Sequence, residues 1–204
     1  MAEYRVPALE ELTEQFERLP GIGHKSATRL AYYLINLSKD DVRKFSETIV
    51  SAHAKIHYCK ICGNLTDTDI CRICDDDRRD KSVLCVVESS RDVAAFEKMN
   101  EYKGQYHVLH GVISPMNGVL PDQLWIKELV QRIKDDHGTN YKEIILATSS
   151  TIEGEATATY ISKLIKPFGI KLTRIAFGLP IGSEIEYIDE VTLSQAFGNR
   201  KEIW

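Results

Sequence analysis

The sequence predicts an α+β chain in several parts: an all-helical N-terminal segment, a four-cysteine knuckle, and an α/β segment on a mostly parallel sheet. Three observations predict it. Apolar residues recur at helical spacing through about the first 57 residues. Cys59, Cys62, Cys71 and Cys74 form two Cys-x-x-Cys pairs eight residues apart. Beyond residue 81, short β-rich apolar runs alternate with helical patterns, as in a sheet covered on both faces.

The first helix is marked by Leu9, Leu12, Phe16 and Leu19 and stops at Pro20-Gly21-Ile22-Gly23. The second carries Ala27, Leu30, Ala31, Leu34 and Leu37 on one face. Ser38 and Asp41 have capping-box spacing for a third, expected to bury Val42, Phe45, Ile49, Ala52 and Ile56. The knuckle runs from Tyr58 to about Lys81 around a short, polar, turn-like interior. Then come strands at Ser82–Val87, Tyr106–Leu109, Glu143–Ala147 and Ile170–Phe177. The expected helices are Ser89–Asn100, about 122–136, Glu153–Phe168 and about Val191–Phe197.

With 204 residues the chain can hold one large or two small cores. No apolar run approaches the roughly 20 residues that span a bilayer, and the start lacks the apolar core of a signal peptide. The expected location is cytoplasmic, where cysteines stay reduced and paired Cys-x-x-Cys reads as metal before disulfide. The net charge of −4 excludes whole-molecule attraction to a polyanion. Charge is uneven, however: Lys25, Arg29, Lys39, Arg43 and Lys44 face only Asp40 and Asp41 between residues 19 and 44. Any nucleic-acid contact must therefore be a local patch.

Two Cys-x-x-Cys turns present four thiolates, the tetrahedral shell that Zn²⁺ prefers. With every position filled by protein, no place remains for a substrate water, so the site reads as structural. Redox pairs and unliganded core cysteines are the alternatives, and neither pair opens a helix after a strand as a thioredoxin-like motif would. Cys85 falls inside a buried strand and reads as packing.

The string Leu19-Pro20-Gly21-Ile22-Gly23-His24-Lys25 joins two helices. Gly21 and Gly23 allow a tight turn that exposes backbone N–H groups, and the new helix points its positive end the same way. Lys25 and Arg29, four apart, share the face opposite the apolar one. A phosphate held there has two cations beside it. The plain alternative is a helix–helix turn with solvated charges. The full string resembles the helix-hairpin-helix module, which grips DNA backbone without reading bases.

Glu88 ends the first strand of the α/β segment, and Glu153-Gly154-Glu155 opens the helix after a later strand. In open α/β sheets, sites form beyond the C-terminal strand ends, and three converging acids could hold Mg²⁺. The arrangement resembles the Toprim domain of topoisomerases, primases and some nucleases. It departs from that pattern in having Glu-x-Glu for Asp-x-Asp, and no tyrosine or lysine nucleophile is evident beside it. Helix capping or an acidic surface for a basic partner ranks ahead of catalysis. Glu186 to Glu190 faintly resembles a Walker B strand end, but no phosphate-loop motif accompanies it. Phe197 and Trp204 could anchor another subunit.

In this order the parts resemble the RecR family of bacterial recombination mediators over essentially the whole length. The strings that carry it are Leu-Pro-Gly-Ile-Gly at 19–23, the cysteine set, Arg-Asp-Lys-Ser-Val at 79–83, Tyr-His-Val-Leu-His-Gly at 106–111, Ile-Glu-Gly-Glu-Ala-Thr at 152–157 and Gly-Leu-Pro at 178–180. The resemblance implies a helix-hairpin-helix region at 1–57, a zinc finger at 58–81, a Toprim domain at 82–178 and an acidic tail at 179–204. It implies a non-enzymatic, nucleoid-associated protein that binds single-stranded and duplex DNA without sequence preference. Such a protein acts with RecO and RecF to load RecA on gapped DNA coated by single-strand-binding protein, as ring-like homo-oligomers, often tetramers. Carried onto this chain, Gly21, Gly23, His24, Lys25 and Arg29 contact DNA, and Glu88, Glu153 and Glu155 face RecO. His24 stands where the family usually has proline. The alternatives are a Mg²⁺-dependent Toprim nuclease or topoisomerase-like enzyme, and a zinc-bearing scaffold whose partners bind DNA.

Overall fold

Proline at the first helical position and alanines on the inner face set the N-terminal helices. In the computed structural model, which describes residues 6–135, 141–176, 178–200 and 202, the chain forms two compact units, Met1–Ile56 and His57–Trp204. In the first, α1 (Pro7–Glu17) starts on Pro7, whose missing N–H costs nothing there. The chain turns through Gly21, at φ +81°, into α2 (His24–Ile35). Thr13 of α1 and Ala27 and Ala31 of α2 are the buried residues, and their small size lets the helices approach closely. Ser38 caps α3 (Lys39–Lys55) as its spacing predicts, its Oγ accepting from the Asp41 N–H at 3.1 Å.

The expected burial along α3 is not met. No residue of that helix is buried, and Phe45 and Ile49 are 47% and 55% exposed. The sequence pattern is amphipathic, but α1 and α2 cover each other, and the apolar face of α3 stays open.

The second unit opens with the knuckle. β1 (His57–Tyr58) pairs antiparallel with β2 (Leu65–Thr66), and α4 (Arg72–Asp75) supplies the last cysteine. The sheet follows as β3 (Asp80–Val87), α5 (Ser90–Met99), β4 (Gly104–Val108), α6 (Ile126–Asp135), β5 (Glu143–Leu146), α7 (Ile152–Ile165) and β6 (Lys171–Arg174). All neighbours are parallel in the order β4-β3-β5-β6. Because successive side chains alternate faces, Leu84 and Val86 pack with Leu129, Ile133, Ile161 and Ile165 of α6 and α7. Cys85 and Val87 pack with Val93 and Tyr106 on the other face. Burial pushes the Cys85 thiol up to about 12, so it stays protonated and apolar in its packing role. The C-terminal segment holds α8 (Glu190–Gly198), capped by Asp189, with no buried residue. Glu186 lies in a short 3₁₀ turn (Ile185–Tyr187) where a Walker B reading needs a strand. Trp204, and the ends of the elements expected at 136 and 177, lie outside the described residues.

Candidate nucleic-acid interface and metal centre

The four cysteines come together. Cys59, Cys62, Cys71 and Cys74 are all buried, and their Sγ atoms lie within 4.8 Å of one another. Cys62 and Cys71 Sγ are 3.6 Å apart. A tetrahedron with metal–sulfur bonds of about 2.3 Å has edges of roughly 3.8 Å, so the donors fit Zn²⁺. Backbone N–H groups support the thiolates: Cys71 N–H donates to Cys59 Sγ at 3.3 Å and Asn64 N–H to Cys62 Sγ at 3.5 Å. The hydrogen bond between Cys62 and Cys71 pushes Cys62 up to about 12 and holds Cys71 down to about 2. Without a cation, thiols this close resist carrying charge together. Zinc supplies the neutralising charge and is structural here, because four protein sulfurs close its shell.

The knuckle is seated on the sheet. Val108 N–H of the edge strand β4 donates to the Cys62 carbonyl at 2.8 Å, and Leu65 N–H donates to Ser90 Oγ at 3.1 Å. The Tyr58 ring packs on His110 at 4.1 Å between centroids, and His110 lies 4.9 Å from Trp125. Gly63, at φ +73°, touches both of the latter: a Cβ there meets His110 Nε2 and Trp125 at 2.9 Å. The string at 106–111 thus has a physical role as the seat of the finger. His107 lies wholly inside, its Nε2 2.8 Å from the Trp125 carbonyl, and burial holds it down to about 3.

At the hairpin, Gly23 caps α2 without a side chain, leaving the helix N-terminus free of any side-chain cap. Lys25 and Arg29 are both exposed, and among the described residues neither has an ion-pair partner. His24 is different. Its Nδ1 meets Glu17 Oε1 from the end of α1. That pairing ties the two helices together and brings a carboxylate to the mouth of the cradle, so only Nε2 remains for a phosphate. Glu17 stands seven residues before His24 and belongs to no motif that would have announced it.

The Toprim acids do not converge on a cation site. The topological switch point lies between β3 and β5, where the chain runs first to β4 and then to the far side. Glu88 stands there, but its Oε1 accepts from the Ser149 N–H at 2.6 Å. Glu155 is paired with Arg174 at 2.8 Å. The same guanidinium donates to the Leu146 carbonyl at 2.8 Å and the Ser149 carbonyl at 2.9 Å. Glu153 stands half-buried in the first turn of α7. Among the described residues only the cysteines bring metal-donor atoms close enough to share an ion. The Mg²⁺ alternative finds no donor cluster among the described residues, where a backbone amide and a guanidinium already engage two of the three acids. Arg174 was not among the expected site residues. Its signal was a cation inside the predicted strand Ile170–Phe177, which the structure ends at Arg174.

A helical hairpin, a closed four-cysteine knuckle and a parallel Toprim sheet in one chain define a DNA-handling protein of recombination and repair. Family models match in the same order: the helix-hairpin-helix of RecR over residues 9–53, the RecR four-cysteine zinc finger domain over 56–76, the Toprim domain over 82–176 and the RecR C-terminal region over 178–201. The chain belongs to the RecR family. Among the described residues no helix is long and apolar enough to cross a membrane.

Proposed function

We propose that this protein is a non-catalytic, zinc-stabilised DNA clamp. In this reading it acts with RecO and RecF to promote RecA loading on gapped DNA coated by single-strand-binding protein, in the cytoplasm at the nucleoid. The observation that carries the DNA-binding part is the hairpin: an uncapped helix N-terminus beside two cations, Lys25 and Arg29, that have no ion-pair partner among the described residues. Helix amides and cations hold phosphate oxygens without reading bases. Gly21 and Gly23 bring the backbone close, and His24 contributes its outer nitrogen. The division at 1–57, 58–81, 82–178 and 179–204 is the functional division we propose. A ring-like homo-oligomer, a tetramer in the family's manner, is supported by the uncovered apolar face of α3 and by the exposed Tyr187, Val191 and Phe197 of the tail. Glu88, Glu153 and Glu155 serve as the acidic surface for RecO.

Replacing Lys25 and Arg29 together with alanine should weaken binding to a labelled oligonucleotide at least tenfold at low salt. It should also flatten the slope of log affinity against log salt by about 2. Unchanged affinity removes the hairpin from the interface. Light scattering with and without DNA tests the closed oligomer.

One observation favours an enzyme instead: Glu88 and Glu155 stand at the switch point of a Toprim sheet. Against it stands Arg174, whose guanidinium neutralises Glu155. Millimolar Mg²⁺ should leave the melting temperature of the protein unchanged and plasmid DNA intact. Arg174→Ala should cost about 1–3 kcal/mol, because Glu155 and two carbonyls lose their donor. A Mg²⁺-dependent rise in Tm, or nicking lost in Glu88→Gln, would establish the enzymatic reading.

A further inference from the structure

On α2 the cationic face does not end at Arg29. At about 100° per residue, Tyr32 falls within roughly 20° of Lys25 around the helix and about 60° from Arg29. Along the axis it lies about 4.5 Å past Arg29 and about 10.5 Å past Lys25. Tyr33 flanks the stripe, four residues after Arg29. The opposite face holds the buried Ala27 and Ala31. Tyr32 is 54% exposed and Tyr33 63%. Among the described residues, neither ring stacks on another and neither hydroxyl has a partner. α2 carries no acid.

We propose that Tyr32 is a base-stacking residue that makes this face prefer single-stranded nucleic acid, with Tyr33 beside it as a second ring. This preference rests on the hairpin being the phosphate site proposed above. Lys25 and Arg29 hold successive phosphates, and the strand then passes Tyr32, where an unpaired base can lay its face on the phenol. A duplex keeps its bases stacked on each other and cannot use the ring. Stacking tolerates any base, so it adds a preference for structure and none for sequence. Charge complementarity selects a polyanion here, and an exposed aromatic beside the cations selects one whose bases are free.

The test is fluorescence anisotropy at low salt with the full zinc-loaded chain and three labelled probes of equal phosphate number: an oligothymidylate, an abasic strand and a hairpin duplex. The wild-type protein should bind oligothymidylate about tenfold more tightly than the abasic strand. Tyr32→Leu should remove that advantage, leave duplex affinity within twofold, and keep the oligomeric state seen by light scattering. Tyr32→Phe should restore it. Two outcomes overturn the proposal: unchanged oligothymidylate binding in Tyr32→Leu, or equal loss on all three probes with a changed mass. The latter makes this face a contact between copies. The phosphate site is tested apart from the ring. If Lys25→Ala/Arg29→Ala leaves all three affinities unchanged while Tyr32→Leu still removes the oligothymidylate advantage, stacking stands and the phosphate site is misassigned.

Discussion

Cys71→Ser should reduce bound zinc from one ion per chain to none and lower the melting temperature by roughly 10 °C or more. Cys71 is at the centre of the site: its Sγ lies 3.6 Å from Cys62 and its N–H donates to Cys59 Sγ. A serine oxygen cannot replace a soft thiolate at about 2.3 Å from zinc. The buried cluster inside the knuckle is the four cysteines with Ile73 against them, too small a core to hold it, so the binding free energy of the metal is its folding free energy. The loss spreads to the sheet. Val108 is fully buried, and its N–H donates to the Cys62 carbonyl. Undocking the finger exchanges that hydrogen bond for one to water, at about 0.5–1.5 kcal/mol, and uncovers the edge of β4. For a chain of this size each kcal/mol is about 2–4 °C in Tm. Metal analysis and calorimetry on the purified variant check the result. A variant that keeps its zinc and its Tm would show that three sulfurs suffice.

Gly63→Ala should lower stability by about 2–5 kcal/mol while keeping one zinc per chain, the sum of two costs. Alanine in the left-handed region costs roughly 1–2 kcal/mol relative to glycine, and Gly63 has φ +73°. The new methyl also meets His110 Nε2 and Trp125 at 2.9 Å. Those rings are packed against each other and against Tyr58, so overpacking adds about 1–3 kcal/mol. Calorimetry and metal analysis on the variant measure both quantities. The two variants together separate ligation from docking. Cys71→Ser loses both metal and seat; Gly63→Ala keeps the metal and strains the seat. Loss of zinc in Gly63→Ala would mean that docking shapes the ligand shell.

Much of the candidate site was legible because its chemistry is local. The Cys-x-x-Cys spacing brings two sulfurs to one ion within a single turn. The hairpin string sets its own φ angles and starts its own helix. The order of strands and helices after residue 81 follows from periodicity, and each expected element is present, with ends shifted by a few residues. What failed involved partners distant in sequence. α3 has the pattern of a buried face, but pattern reports that a face is apolar and cannot say what covers it. The positions of Glu88, Glu153 and Glu155 were readable, yet what engages two of them was not. Glu88 is paired with an amide 61 residues on, and Glu155 with a guanidinium 19 residues on. Glu17 beside His24 is the same lesson at shorter range.

Local sequence was enough for the zinc ligands, the cationic hairpin and the alternating architecture. Each depends on residues within a few turns of one another, where backbone geometry leaves little choice. What those parts face was settled by packing alone. Strand order brought Glu88, Ser149 and Arg174 to one switch point and engaged the acids there. Folding seated the knuckle on β4 through Gly63, His110 and Trp125. It also left α3 uncovered and Tyr32 open beside the two cations. Such pairings are set by which surfaces can be buried together, and that is a property of the whole packed chain.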